Sequence, residues 1–286
     1  MEAGAPRWLA WTHVESMGVS KMSNRVAVAL TAAVAIGLAV SISGCGIEVN
    51  LGSRTMTDDA RVDAEVTAID LAGDDGDIKI QSGSGAGVAI HRTVHYRGSA
   101  KPRPGQQVTD GVLTFTKGCS RCSIDYELTV PSTVRVKIHN GSGSINVTDV
   151  AAADVEAGSG DVRVRNVPGP VRADTGSGSV RVETIGGQTV LHASSGDIVA
   201  SGVNGGTLRA DTGSGSVNLT FSAAPANVRA ETGSGDLRIK LPNGAYRLAH
   251  STGSGDEHIE IDDNPAATAS VYANTGSGSL WILPTG

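Results

Sequence analysis

Aromatic residues are scarce in this chain of 286 residues: two Phe, four Tyr and three Trp, 3% of the total. So few rings argue against a carbohydrate-active enzyme, which needs aromatic platforms beside clustered carboxylates. Positive charge is short as well, with 23 Lys and Arg against 29 Asp and Glu and a formal net charge of −6. An acidic chain without a run of basic residues argues against nucleic acid as a partner. Apolar runs are short too. The longest, Val26 to Val40, has fifteen residues, whereas a membrane-spanning helix needs about 20. Cysteine occurs three times, at Cys45, Cys119 and Cys122.

Glycine is what the chain has in plenty, 38 residues of it. From Asn140 onward one phrase recurs eight times, a Gly-Ser-Gly turn followed by an alternating apolar strand. Gly158-Ser159-Gly160-Asp161-Val162-Arg163-Val164 and Gly176-Ser177-Gly178-Ser179-Val180-Arg181-Val182 are typical copies, and Ser194-Ser195-Gly196-Asp197-Ile198 is a weakened one. The Ser or Asp after each turn (Ser144, Asp161, Ser179, Asp197, Ser216, Asp236, Asp256, Ser279) recurs at spacings of 17, 18, 18, 19, 20, 20 and 23 residues. A period near twenty residues marks stacked repeats.

Each unit reads as two short strands and two turns. In Val171 to Gly187, period-two alternation places Val171, Ala173, Val180 and Val182 on one face. Gly176-Ser177-Gly178 supplies one corner and Gly186-Gly187 a second. The expected fold class is therefore all-β: a parallel β-solenoid, or β-helix-like stack, of 17–23-residue two-strand coils. A narrow core of Val, Ala and Ile suits the scarcity of rings. On the outer face Arg172 and Asp174, Arg209 and Asp211, and Arg229 and Glu231 sit two residues apart, so parallel stacking would align them into charged columns. A solvated face is the plain reading of these columns, a recognition surface the other.

The N-terminal third divides into segments. Lys21 and Arg25, the apolar run Val26 to Val40 and then Ile42-Ser43-Gly44-Cys45 read as a signal peptide ending in a bacterial lipobox. Residues 1–44 would be removed, with 1–21 an over-extended start, and Cys45 would carry the lipid, a site for palmitate. Residues 45–60, polar and aperiodic, are expected to form a tether. Residues 61–130 read as an irregular N-terminal β cap, with Gly73-Asp74-Asp75-Gly76-Asp77 as a degenerate first copy of the turn. Residues 131–286 form the repeat array.

The run Tyr126-Glu127-Leu128-Thr129-Val130-Pro131-Ser132, followed by serial Gly-Ser-Gly-Asp/Ser-Val-x-Val units, resembles the bacterial putative-adhesin family of β-strand-repeat proteins of unknown function. That family is related to the head domains of autotransporter-type adhesins. The resemblance spans about residues 60–286 and implies a β-solenoid exposed outside the cytoplasmic membrane. It brings no catalytic residues with it.

Individual candidates weigh as follows. Cys119 and Cys122 are expected to form a structural disulfide, since the helical setting of a redox Cys-x-x-Cys is missing. His91 and His95, four apart on a strand, are separated by about 13 Å and cannot share one ion. The acidic turn residues suggest no calcium site, because half the copies carry Ser instead and both residue types bond nearby backbone. No metal and no cofactor are expected. The copy at Asp256 departs most from the pattern, with Glu257 where an inner Val belongs and His250 in an inner Ala slot. With Glu260 and the outward Trp281 these could make a polar surface site, although a slipped register that puts Ile259 and Ile261 inside is the favoured reading. The functional expectation is a non-enzymatic, lipid-anchored envelope lipoprotein presenting an adhesin-like surface to an envelope or surface protein or a polysaccharide. A carbohydrate-active β-helix enzyme and a purely structural or stress-related envelope component are the alternatives.

Overall fold

Alternating Val, Ile, Leu and Ala at period two can be buried only against another copy of the same pattern, and the computed structural model shows that arrangement. It describes residues 52–204 and 206–285, all strand, turn or irregular, without a helix among them. The segments expected to form a signal peptide and lipobox, with Cys45, lie outside the described residues. Seven strands come first: β1 (Arg54–Val62), β2 (Ala68–Ala72), β3 (Ile78–Ser82), β4 (Val88–Tyr96), β5 (Gly105–Thr109), β6 (Val112–Thr116) and β7 (Cys122–Val130). The coils β8 (Arg135–Ser142) with β9 (Ile145–Thr148), β10 (Ala152–Ser159) with β11 (Val162–Val167), and β12 (Val171–Ser177) with β13 (Val180–Ile185) follow. Next are β14 (Thr189–Ser195) with β15 (Ile198–Asn204), β16 (Thr207–Ser214) with β17 (Val217–Ala223), and β18 (Asn227–Ser234) with β19 (Leu237–Leu241). The chain ends in β20 (Arg247–Thr252) with β21 (Glu257–Ile259), and β22 (Ser270–Ser277) with β23 (Leu280–Pro284).

The strands form two walls, one of twelve and one of eleven, largely parallel. Equivalent residues stack rung over rung: Val162, Val180, Ile198, Val217, Leu237 and Leu280 run up one wall. Val155, Ala173, Leu191, Ala210, Ala230 and Ala273 run up the other. All these inner side chains are buried, in one continuous core whose fully buried members run from Val66 to Ile282. Each buried Val or Leu contributes roughly 1.5–3 kcal/mol, so no single rung carries the fold.

Two kinds of contact hold the Gly-Ser-Gly corner in register. The glycine after each Ser donates its N–H to the Ser carbonyl of the next rung, as in Gly160 to Ser177 at 2.7 Å and Gly215 to Ser234 at 2.8 Å. At Gly235, with φ of 138°, a Cβ would strike the Gly215 carbonyl, so only glycine fits. Inside the corner Thr175, Thr212, Thr232, Thr252 and Thr275 each donate Oγ1 to a glycine carbonyl of the adjacent rung at 2.8–3.1 Å. Sequence reading had not singled out this ladder.

The stacking order departs from chain order at both ends. Coil β2–β3 lies between β6–β7 and β8–β9, and the final coil β22–β23 inserts between β18–β19 and β20–β21. The stack therefore has ten two-strand rungs rather than the eight the phrase count suggests. The N-terminal cap needs redrawing in consequence. Residues 68–82 make a full rung, with Ile78 over Ile145 and Leu71 over Ile138, while β1, β4 and β5 are the antiparallel additions that close the end. The expected tether to residue 60 is also too long. Arg54 to Ala60 belong to edge strand β1, where Met56 and Ala60 pack on the core, an apolar alternation that the polar neighbours concealed.

Spatial order explains the Asp/Ser choice after each turn. Up the stack the slot reads Asp125, Asp77, Ser144, Asp161, Ser179, Asp197, Ser216, Asp236, Ser279, Asp256, alternating from Asp77 onward. In chain order Asp236 and Asp256 are consecutive copies, and the inserted coil brings Ser279 between them. Asp77, Asp161, Asp197 and Asp236 each accept the backbone N–H of the following Ser at 2.8–3.0 Å. Rungs lie about 4.8 Å apart, so successive carboxylates repel, and from Asp77 to Asp256 the intervening Ser separates them. Asp125 and Asp77 are consecutive, and there Asp125 accepts the Asp77 N–H at 2.8 Å and lies 3.1 Å from His95 Nε2. Ser216→Asp would stack a carboxylate between Asp197 and Asp236 and raise their folded-state pKa values. A loss of about 1 kcal/mol at neutral pH is expected, shrinking as pH falls towards about 4, and urea midpoints at both pH values would measure it.

Candidate functional site

The polar candidates at the C-terminal end fall into two groups. Strand β21 pairs Glu257 with Leu280, His258 with Trp281 and Ile259 with Ile282, so the register does not slip. Glu257 and His250 both occupy inward positions, and His250 Nδ1 lies 3.0 Å from Glu257 Oε2. They tolerate those positions because β20–β21 is the last two-strand rung among the described residues, and beyond it the segment at Asp263 and Asn264 meets only the edge of β20, at Tyr246 and Leu248. Ile259 and Ile261 pack beside them on the core. Glu260 points elsewhere, accepting from or pairing with His258 Nε2 at 2.7 Å. Trp281 lies on the outer face one rung in from the end, with the Arg238 guanidinium 4.5 Å from its ring centre. The four residues do not converge on one site.

The opposite end closes in a comparable way with a residue that sequence reading passed over. Arg92 occupies an inward slot between Ile90 and Val94 and is 1% exposed. Its guanidinium meets Asp58 Oδ2 and Gln106 Oε1, both at 2.6 Å, and lies over Phe115 and Tyr126. Arg92 Nε and Tyr126 Oη find no partner, and burial first of all pushes the Tyr126 phenol above its ordinary pKa. The signal was in the alternation Val88, Ile90, Arg92, Val94, which put an arginine in phase with the core.

His91 and His95 face outward on β4, each against a carboxylate: His91 Nδ1 with Asp59 at 2.6 Å and His95 Nε2 with Asp125 at 3.1 Å. The hydrogen bond to Asp59 raises the His91 pKa. Cys119 and Cys122 are joined as a disulfide with Cα atoms 6.1 Å apart, closing the loop between β6 and β7. Next to it Lys117 pairs with Asp74 of the neighbouring rung. Among the described residues no three His, Cys, Asp or Glu side chains gather as a metal-binding group.

The outer faces of the two walls differ in charge. On the eleven-stranded wall the columns foreseen in the sequence are present, and their charges neutralise one another. Arg172 bridges Asp154 at 3.8 Å and Asp174 at 3.2 Å, while Arg209 bridges Asp211 at 2.6 Å and Glu231 at 3.9 Å. Arg229 pairs with Glu231 at 2.6 Å and stacks on Tyr272. On the twelve-stranded wall Lys79, Arg163, Arg165, Arg181, Arg238 and Lys240 face outward; Arg163 pairs with Asp161 at 3.2 Å, Lys79 stands opposite Glu127 and Arg165 opposite Glu183. Of these, Arg165, Arg181 and Lys240 are exposed and have no ion-pair partner among the described residues. The basic residues form two groups on this face, one at β11 and β13 and one at β19 beside Trp281, separated by the uncharged Val199, Ser201, Asn218 and Thr220.

A stack of two-strand parallel coils with Gly-Ser-Gly corners defines a β-solenoid-like protein. The Toastrack DUF4097 family model matches residues 120–280, more than half of the sequence, and the chain belongs to that family. The crystal structure of a putative adhesin from Bacteroides fragilis superposes with a TM-score of 0.53 at 16% identity, covering 81% of this chain and 98% of that one, and shares the fold. A putative cell adhesion protein from Clostridium sporogenes aligns at 13% identity over 82% of this chain and 100% of its own, with a TM-score of 0.32. A putative adhesin from Parabacteroides distasonis aligns at 11% identity over 82% and 98%, with a TM-score of 0.38. No curated protein sequence matches this chain.

Burial within the paired columns has a pH consequence. Desolvation pushes the Asp154 carboxyl above its ordinary value of 3.8, and Arg172 and Lys137 offset only part of this. A carboxyl raised in the folded state binds its proton more tightly there, so the associated stability is present at low pH and is lost as pH rises through the folded pKa. Asp154→Asn cannot titrate. The urea midpoint of this variant relative to the parent is expected to shift in the variant's favour between pH 3.8 and neutrality. A gap independent of pH would contradict the role of burial.

Proposed function

We propose that this chain is a non-enzymatic lipoprotein of the bacterial cell envelope. Lipid on Cys45 holds it at the outer face of the cytoplasmic membrane or envelope, and its β-solenoid presents a binding surface to an envelope or surface protein or a polysaccharide. The anchor reading rests on Lys21 and Arg25, the fifteen-residue apolar run and Ile42-Ser43-Gly44-Cys45. The binding reading rests on the basic groups of the twelve-stranded wall, which run against the acidic balance of the chain. Parallel register holds Arg163 and Arg181 on adjacent rungs about 4.8 Å apart, with Arg238 and Lys240 three rungs farther along. A face already ordered loses little freedom on binding. Its chemistry fits an extended acidic polymer or an acidic protein surface.

The polar side chains that could serve hydrolysis are engaged as pairs at the open end, His250 with Glu257 and His258 with Glu260. This arrangement supports a structural role for them rather than a catalytic one.

Metabolic palmitate labelling is expected to disappear in Cys45→Ala, and persistent labelling would refute the anchor. For the surface, residues 46–286 are expected to bind an acidic envelope polysaccharide about tenfold more weakly when Arg165→Glu and Arg181→Glu are combined, as titration calorimetry would show. Unchanged affinity would rule out this face. Polysaccharide turnover abolished by His250→Ala or Glu257→Gln would overturn the non-enzymatic reading.

A further inference from the structure

A second basic feature lies at the N-terminal end of the stack, on the Gly-Ser-Gly side, and it is assembled from residues far apart in sequence. Loop 97–104 leaves β4, loop 117–121 leaves β6, and the Cys119–Cys122 disulfide constrains the latter. The two loops enclose a cavity of about 520 Å³ lined by Tyr96, Arg97, Lys101, Pro102, Cys119 and Arg121, among others, and by no Asp or Glu. Arg97, Lys101 and Arg121 are exposed and have no ion-pair partner among the described residues, and the same holds for Arg103 in the first loop. Arg54 stands opposite Tyr96 across β1 and β4, so the chain enters the domain at this corner and adds a further unpaired cation.

Chain length places the corner relative to the anchor. Arg54 follows Cys45 by nine residues, which extend to about 30 Å at most. On the reading of Cys45 as the lipidated residue, which this inference takes from the proposed function, the corner cannot move farther than that from the membrane surface.

We propose that this basic corner binds the phosphate-bearing headgroups of anionic phospholipids, seating the N-terminal end of the solenoid on the membrane while the rest of the stack projects away. Guanidinium groups match phosphate oxygens in two-point hydrogen bonding, and the ammonium of Lys101 adds a point charge. Tyr96 and Pro102 give the cavity an apolar floor beside these cations. A basic side chain close to an anionic leaflet raises membrane partitioning about fivefold, so three act together as roughly a hundredfold. The attraction fades beyond about 10 Å at 0.1 M salt, which makes a short tether and a basic corner mutually reinforcing. The shared chemistry is the phosphate group, and a free phosphate could use the same cavity.

Vesicle co-sedimentation tests the proposal with residues 46–286, which include the whole described core from Met56 to Ile282. This lipid-free protein is expected to bind phosphatidylcholine vesicles containing about a third phosphatidylglycerol, to ignore pure phosphatidylcholine, and to dissociate at about 0.5 M salt. Combining Arg97→Glu, Lys101→Glu and Arg121→Glu is expected to lower partitioning about a hundredfold or more, while Arg165→Glu with Arg181→Glu on the wall leaves it unchanged. Where the triple variant fails to keep the parent urea midpoint, Lys101→Glu alone is read, with about a fivefold drop expected. Equal binding to neutral vesicles, undiminished binding by the corner variants or an equal loss from the wall variants would overturn it. Competition by millimolar inorganic phosphate would assign the cavity to free phosphate and overturn it too. Because the protein used carries no lipid, loss or retention of the palmitate label at Cys45 is judged separately.

Discussion

The whole stack depends on backbone meeting backbone at the Gly-Ser-Gly corner. From Gly160 to Gly235 the corner amides reach the carbonyls of the next rung at 2.7–3.1 Å. At that distance there is no room for a side chain, so the glycines are required by the approach of the neighbouring rung as well as by their own backbone angles. The contact also sets register. A parallel pairing slipped by one residue would turn every Val, Ile and Leu of a rung outward. The threonine ladder inside the corner adds a second check, since each hydroxyl finds its carbonyl only when the rungs are aligned. Buried aliphatic surface supplies the stabilisation, and the corner decides which arrangement receives it.

A stack built this way has the problem that its ends look like its middle. Open parallel edges invite another copy to add on. Here both ends depart from the pattern by placing ion-pairing side chains in inward slots. Arg92 with Asp58 closes the N-terminal end under antiparallel strands, and His250 with Glu257 closes the C-terminal end. A further rung laid on His250 and Glu257 would have to desolvate them, at a cost that aliphatic stacking would have to overcome. The strands that depart most from the repeat are thus terminal strands, although at the C-terminus they are not terminal in sequence.

The repeating middle was legible because each coil contacts only its neighbours, so local alternation and a twenty-residue period suffice to define it. The inner slots, the outward charge columns and the turn positions all follow from that periodicity. The coil order did not follow, because the pairing preference of a coil near the C-terminus for β18–β19 or for another coil is decided by contacts between rungs. One trace of it was present all the same: the consecutive Asp236 and Asp256 break an Asp/Ser alternation that the inserted coil restores. Arg92 was in phase with the core yet overlooked, since a charged residue in a strand is ordinarily placed in solvent. In the sequence Arg97, Lys101 and Arg103 are scattered through a Gly/Pro loop while Arg54 and Arg121 lie well outside it, and only the meeting of two loops beside the start of β1 gathers all five.

The sequence by itself determined the unit: two short strands, a glycine corner, an apolar face too small to stand alone, and hence a parallel stack. These features arise from backbone freedom and side-chain period, which act within twenty residues. Tertiary structure alone decided which coil lies on which, where the stack stops, and which charges are left unpaired on its surface. Those outcomes depend on distances between residues remote in the chain, where small differences in corner electrostatics and end desolvation choose among coils of nearly equal apolar content.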